Sequence, residues 1–112
     1  MEIYDSIIIG AGPAGMSASI YLKRSNLSFL LLDKSTPGGK LNEIGLVDNY
    51  LGFKNIDGPS LAYEMFEHVR NLNIKYKIVT VQDISCVGKC SLTVALPIIS
   101  AMGIECSILP TA

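Results

Sequence analysis

The sequence predicts an α/β chain in which helices layer against a parallel sheet to give three layers. Three observations predict it. The apolar run Ser6-Ile7-Ile8-Ile9 passes directly into a glycine-rich turn, Gly10-Ala11-Gly12-Pro13-Ala14-Gly15, and that turn opens a stretch with helical apolar spacing. A second apolar run, residues 29–32, closes on Asp33, about 20 residues beyond the glycines. Strand-like and helix-like segments then keep alternating along the chain, as they do where parallel strands are joined by crossover helices.

The first strand is expected over residues 4–9, continuous and β-branched as a buried parallel strand should be. The helix after Gly12 carries Met16, Ile20 and Leu22. Its small residues Ala14, Ala18 and Ser19 are expected to bring it close to the sheet, and it ends near Arg24-Ser25-Asn26, with basic residues at the negative end of its dipole. Residues 28–33 form the second strand. The polar connection over residues 34–59 is long enough that it is expected to be either functional or disordered. A second helix opens at Gly58-Pro59-Ser60, with proline in its first turn, and shows Leu61, Met65, Val69 and Leu72 along one face. Glu64 and Glu67 face solvent there, with His68 as an ordinary surface histidine. Residues 74–81 alternate as a third strand. Beyond it lie a loop over residues 85–89, an apolar helix over residues 91–102 interrupted by Pro97 and ended by Gly103, and a strand over residues 104–109.

The turn carries the chemistry. In the order strand, G-x-G-x-x-G, helix, Gly10 makes the sharp turn, Gly12 removes a side chain where phosphate must sit, and Gly15 lets helix and strand pack closely. A pyrophosphate there meets free N–H groups and the positive end of the helix dipole. Asp33 stands where an acid holds a ribose hydroxyl. The competing reading is a tight turn that needs glycine for steric reasons alone. The spacing favours a Rossmann-like dinucleotide-binding unit, incomplete in its strands.

Composition narrows the partners. In 112 residues, nine Lys and Arg are scattered among ten acids for a formal charge of −1, which argues against nucleic acid. The longest apolar run, residues 92–102, contains Pro97 and is too short to span a bilayer, so no membrane partner is expected. The opening Met-Glu-Ile-Tyr-Asp is unlike a secretory signal, and a cytoplasmic location follows by default. Cys86, Cys90 and Cys106 have neither C-x-x-C spacing nor nearby histidine ligands; they are expected to be cytosolic thiols, with no metal site.

Four ordered segments together resemble the flavin-binding N-terminus of bacterial thioredoxin reductases. They are residues 4–16 around the glycine turn, Pro37-Gly38-Gly39-Lys40-Leu41, Val47-Asp48-Asn49-Tyr50-Leu51-Gly52-Phe53, and Gly58-Pro59-Ser60-Leu61. The resemblance covers residues 2–80 and implies FAD as cofactor. Gly10, Gly12, Pro13, Ala14 and Gly15 would then hold the pyrophosphate, Asp33 and Lys34 would lie at the adenosine ribose, and Gly38, Gly39, Lys40, Leu41 and Asn49 would line the flavin. Lys40 replaces the family's usual glutamine, putting a cation near the flavin, and Asp33 replaces the commoner glutamate. Such reductases also use NADPH through a second domain with a redox-active cysteine pair. Neither a second G-x-G-x-x-G nor a C-x-x-C occurs in this sequence, so no residue here is expected to be catalytic.

Residues 79–112 resemble instead the N-terminus of pyridoxal (pyridoxine) kinases, through Val79-Thr80-Val81-Gln82-Asp83-Ile84-Ser85-Cys86-Val87-Gly88-Lys89-Cys90, then Leu96-Pro97-Ile98-Ile99, then Leu109-Pro110-Thr111-Ala112. The resemblance implies a first β–α–β fragment of the ribokinase fold, with Asp83 and Gly88 toward the vitamin. The expected organisation is a flavin-type segment over residues 1–80 and a kinase-like segment over residues 81–112, joined within a strand between residues 78 and 84. Three classes stay open: a fragment of an FAD-dependent oxidoreductase, a dinucleotide-binding module without turnover, and a kinase-derived fusion without activity. The expected partners are FAD and either a second copy of the chain or a complementing fragment.

Overall fold

The computed structural model describes residues 3–83 and 105–111. In chain order these form β1 (Ser6–Ile9), α1 (Pro13–Arg24), β2 (Phe29–Asp33), a short 3₁₀ turn (Gly39–Glu43), α2 (Gly58–Asn71), β3 (Tyr76–Asp83) and β4 (Glu105–Thr111). The described strands make one sheet in the order β1-β2-β3-β4, parallel at every pairing. The expected loop over residues 85–89 and helix over residues 91–102, with Cys86, Cys90, Pro97 and Gly103, lie outside the described residues. β3 runs without a break from Tyr76 to Asp83, across the positions where the two resemblances meet.

The strand ends differ slightly from the sequence reading, and local bonds explain why. β1 begins at Ser6 because the Asp5 carboxylate accepts the Ser28 N–H at 2.8 Å, while the Asp5 and Ser6 amides both donate to the Ser28 carbonyl. β3 begins at Tyr76 because the chain is still leaving α2: Asn73 adopts a left-handed φ of 56°, and the Ile74 amide donates back to Val69.

Strand order decides where the helices lie. A right-handed crossover from β1 to β2, followed by another from β2 to β3 in the same direction, puts both helices on one face of the sheet. The core shows this directly, with Met16 of α1, Phe66 and Val69 of α2, Phe29 and Leu31 of β2 and Ile78 of β3 in one buried cluster. Phe66 meets Tyr76 edge-on, with ring centroids 5.1 Å apart. Burial of such side chains stabilises by roughly 1.5–3 kcal/mol each. The described helices therefore build a single layer.

On the other face, Ile7 is 53% exposed and Ile9 85%. The expectation that β1 is buried on both faces fails there: β1 is the edge of the described sheet, and α1 and α2 both pack on the opposite face. The small residues of α1 also sort differently from the sequence reading. Ala14 and Ala18 are exposed, and it is Gly15 and buried Ser19 that turn inward, with the Ser19 hydroxyl donating to the Met16 carbonyl at 2.6 Å.

Residues 34–59 are more ordered than a bare connection. The 3₁₀ turn occupies part of them, and an antiparallel bridge between Val47 and Ile56 (2.7 and 3.1 Å) closes the loop that carries Asn49. α2 starts from an N-cap. The Asp57 carboxylate accepts the Ser60 amide at 2.9 Å and the Ser60 hydroxyl at 2.8 Å, and these bonds lower its pKa. Ala62 and Phe66 join Leu61 and Val69 on the buried side of that helix, and Glu67 pairs with Arg70 at 3.2 Å. Among the described residues no helix is long and apolar enough to cross a membrane.

Candidate dinucleotide site

β1 delivers the chain to the site and α1 carries it away. Gly10 turns with φ 111°, and its amide donates to the Leu32 carbonyl at 2.7 Å, fastening the turn to the end of β2. A side chain at Gly15 would collide with the Gly10 carbonyl oxygen and crowd Ile8, so helix and strand approach at a distance only glycine permits. Gly12 is different. Its backbone is ordinary (φ −77°), and a side chain there would meet nothing within 4 Å. Sterics within the chain therefore do not require glycine at position 12. The open volume beside it is what a bound group needs.

Gly12 is also the N-cap of α1 and has no side chain to cap it, and Pro13 brings no N–H of its own. The first-turn amides that an α-helix leaves unpaired therefore point outward from the turn, at the positive end of a twelve-residue helix. Such an end is an anion site by construction.

The second predicted segment comes to the same place. The Gly38 amide donates to the Ala11 carbonyl at 2.8 Å, and a side chain on Gly39 would lie 3.4 Å from the Gly12 Cα. Gly38 and Gly39 both have positive φ, 117° and 56°, and the Asn42 amide group closes the turn onto the Pro37 carbonyl at 3.0 Å. This sets exposed Lys40 and half-buried Leu41 beside the glycine turn.

Asp33 ends β2 facing the turn. Its Oδ2 accepts the Ala11 amide at 2.6 Å, and its Oδ1 accepts the amides of Lys34 (2.6 Å) and Ser35 (3.2 Å). Tyr76 lies nearby, its hydroxyl donating to the Ser35 carbonyl at 3.1 Å. Burial, and secondarily the negative charge of Asp33, raise the tyrosine pKa above its ordinary value.

The fold thus gathers Gly10, Gly12, Pro13, Ala14, Gly15, Asp33, Lys34, Gly38, Gly39, Lys40 and Leu41 around one turn. Asn49 is exposed in the bridged loop. Its neighbour Tyr50 lines a groove of about 340 Å³ with Met16, Arg24, Met65 and His68, and that groove shares only Pro13 with the turn. Sequence reasoning missed the Ala11 amide and Asn42, both of which act through hydrogen bonds invisible in one dimension. It also missed the Asp57 cap, for which an acid just before Gly-Pro-Ser was a readable signal.

A strand, a glycine turn open to an anion and a helix N-terminus, backed by an acid on the next parallel strand, define a dinucleotide-binding βαβ unit. The chain belongs to the NAD(P)-binding Rossmann-like domain family, whose model matches residues 8–70. It is 49% identical to a thioredoxin reductase of Ureaplasma parvum over 84 residues, which are 75% of this chain and 27% of that protein. It is 45% identical to a thioredoxin reductase of Bacillus subtilis, over 74% of this chain and 26% of the relative. Among solved structures, the ferredoxin-flavin thioredoxin reductase of Clostridium acetobutylicum superimposes with a TM-score of 0.66 at 35% identity, covering 74% of this chain and 29% of the other. The thioredoxin reductase of Streptococcus pyogenes does so with a TM-score of 0.62 at 44% identity, covering 65% and 24%. The chain spans about a quarter of the length of these relatives.

Proposed function

We propose that this chain is the FAD-binding part of a thioredoxin-reductase-like flavoprotein oxidoreductase, and that it holds the adenosine diphosphate side of the cofactor. The observation that carries this reading is the open volume at Gly12, in front of the uncapped start of α1 and beside the Gly38–Gly39 turn. The likeness to thioredoxin reductases over most of the chain supports FAD over other dinucleotides.

The pyrophosphate would lie on the first-turn amides of α1, where Gly12 offers no side chain. Asp33 and Lys34 would border the ribose. Lys40 and Leu41 would continue toward the flavin, and Lys40 adds a positive charge where a neutral glutamine is usual. FAD, when bound, supplies the hydride chemistry. The residues of this chain would bind and orient it. Turnover with NADPH is proposed only for a protein that also has a nicotinamide-binding domain and a redox cysteine pair. We assign the chain to the cytoplasm on the same reading.

The test is titration of the purified chain with FAD, followed by flavin fluorescence, with Gly12→Asp as the comparison. Saturable binding that the variant abolishes is expected. Absence of binding at micromolar protein overturns the reading in favour of a fusion without cofactor. The kinase-like reading of residues 81–112 rests on its sequence motifs alone, and pyridoxal binding without flavin binding is the result that would favour it.

A further inference from the structure

We propose that Asp33 acts first as a positioning residue for the phosphate-binding turn, through the Ala11 amide, and only secondarily as a hook for the ribose. This rests on the dinucleotide-binding reading above. The geometry is specific. The carboxylate accepts three backbone amides, the shortest from Ala11 at 2.6 Å, twenty-two residues away in sequence. Ala11 is fully buried, and its carbonyl is held from the other side by the Gly38 amide at 2.8 Å. Gly10, just before it, is tied to Leu32 at 2.7 Å. The peptide units on both sides of Ala11 are thus gripped from β2 and from the Gly38 turn, and Asp33 provides the only charged grip among these contacts.

Chain length explains why aspartate does this. A glutamate at the same position would carry its carboxylate one methylene farther from the strand. The shorter side chain reaches back to the turn instead. An amide donated to Asp33 is also not donated to phosphate, so the diphosphate falls to the first-turn amides of α1, whose direction depends on how the turn enters the helix. Hydrogen bonds to a charged group are the stronger kind, so losing this one should disturb the turn measurably.

The experiment compares two probes on the full chain: ADP, and a dideoxy-ADP that lacks both ribose hydroxyls. If Asp33 positions the turn, Asp33→Ala weakens dideoxy-ADP about tenfold or more, and ADP by at least that factor. Asp33→Asn, whose one acceptor oxygen can serve either Ala11 or the Lys34 and Ser35 amides and carries no charge, recovers part of the dideoxy-ADP affinity. A loss confined to ADP, with dideoxy-ADP binding unchanged, overturns the proposal and makes Asp33 a direct ribose ligand. A second readout needs no ligand. Exchange of the Ala11 amide proton, followed by NMR, should speed up at least tenfold in Asp33→Ala, and unchanged exchange overturns the proposal as well. Should Asp33→Ala fail to fold, Asp33→Asn and Asp33→Glu carry the comparison, with Asp33→Glu expected to release the Ala11 amide. A wild-type chain that binds neither ADP nor FAD overturns the functional reading, while amide exchange still decides whether the clamp exists.

Discussion

Replacing Gly15 with alanine sets two known effects against each other. Alanine is the better helix former by about 1 kcal/mol, so propensity alone predicts a more stable protein. Against this, the new methyl group would overlap the Gly10 carbonyl oxygen and press on the Ile8 side chain. Overpacking costs about 1–3 kcal/mol when side chains can give way. Here the obstacle is backbone, and it cannot easily retreat, since the Gly10 amide is bonded to Leu32 at 2.7 Å. α1 must instead lift from β1, loosening buried Met16 and Ser19. The cost should sit at the upper end of the range and outweigh the propensity gain, for a net loss of about 2 kcal/mol. Urea denaturation followed by circular dichroism measures it, with an expected fall in midpoint of about 1 M or more. Gly45→Ala is the control: its new methyl group meets nothing within 4 Å, and stability should move by less than about 0.5 kcal/mol. A Gly15→Ala chain as stable as wild type would refute the close-approach argument.

Three further outcomes follow from the same geometry. Gly12→Asp should separate stability from binding: aspartate is a good N-cap and suits the positive end of α1, so the unfolding midpoint should hold or rise while FAD binding is lost. The Asp57 pKa is lowered by its bonds to Ser60, so the stability it contributes is present above the ordinary carboxylate pKa and disappears as pH falls through the folded value. Asp57→Ala should lower the thermal midpoint at neutral pH and flatten its acid dependence, measured by melts across pH. The Tyr76 pKa is raised, so the unfolded chain ionises first as pH climbs past about 10, and stability should fall from there. Tyr76→Phe should lose that alkaline slope along with its bond to Ser35, at a cost of about 0.5–1.5 kcal/mol at neutral pH.

How much of the molecule was readable depended on how local each signal was. The run Ser6-Ile7-Ile8-Ile9, the glycine turn and the 3.6-residue spacing of Leu61, Met65 and Val69 report on neighbours within one element, and those elements stand where periodicity placed them. Inward and outward faces were harder. Ala14 and Ala18 looked like packing residues by size, yet the rotation of α1 is fixed by contact with β1 and the sheet, which put Gly15 and Ser19 inside. The bridge between Val47 and Ile56 escaped because eight residues separate its partners and neither lies in a run of strand formers.

The burial of β1 shows the same limit on a larger scale. A continuous isoleucine run states that both faces of a strand can be buried, but not which elements will cover them. Strand order supplied that, by sending α1 and α2 to one side and leaving Ile7 and Ile9 exposed on the other.

From sequence alone came the parallel α/β class, the glycine turn with its requirement for backbone at close quarters, and the acid one strand away. All of these are written in residue type and spacing over short distances. Only the tertiary structure decided that the Gly38 turn backs the glycine turn, that a bridge between Val47 and Ile56 closes the loop carrying Asn49, and that Asp33 accepts the Ala11 amide. Those facts depend on where a carboxylate or carbonyl lies to within an ångström, and that position is set by the packing of β1, β2 and α1 together.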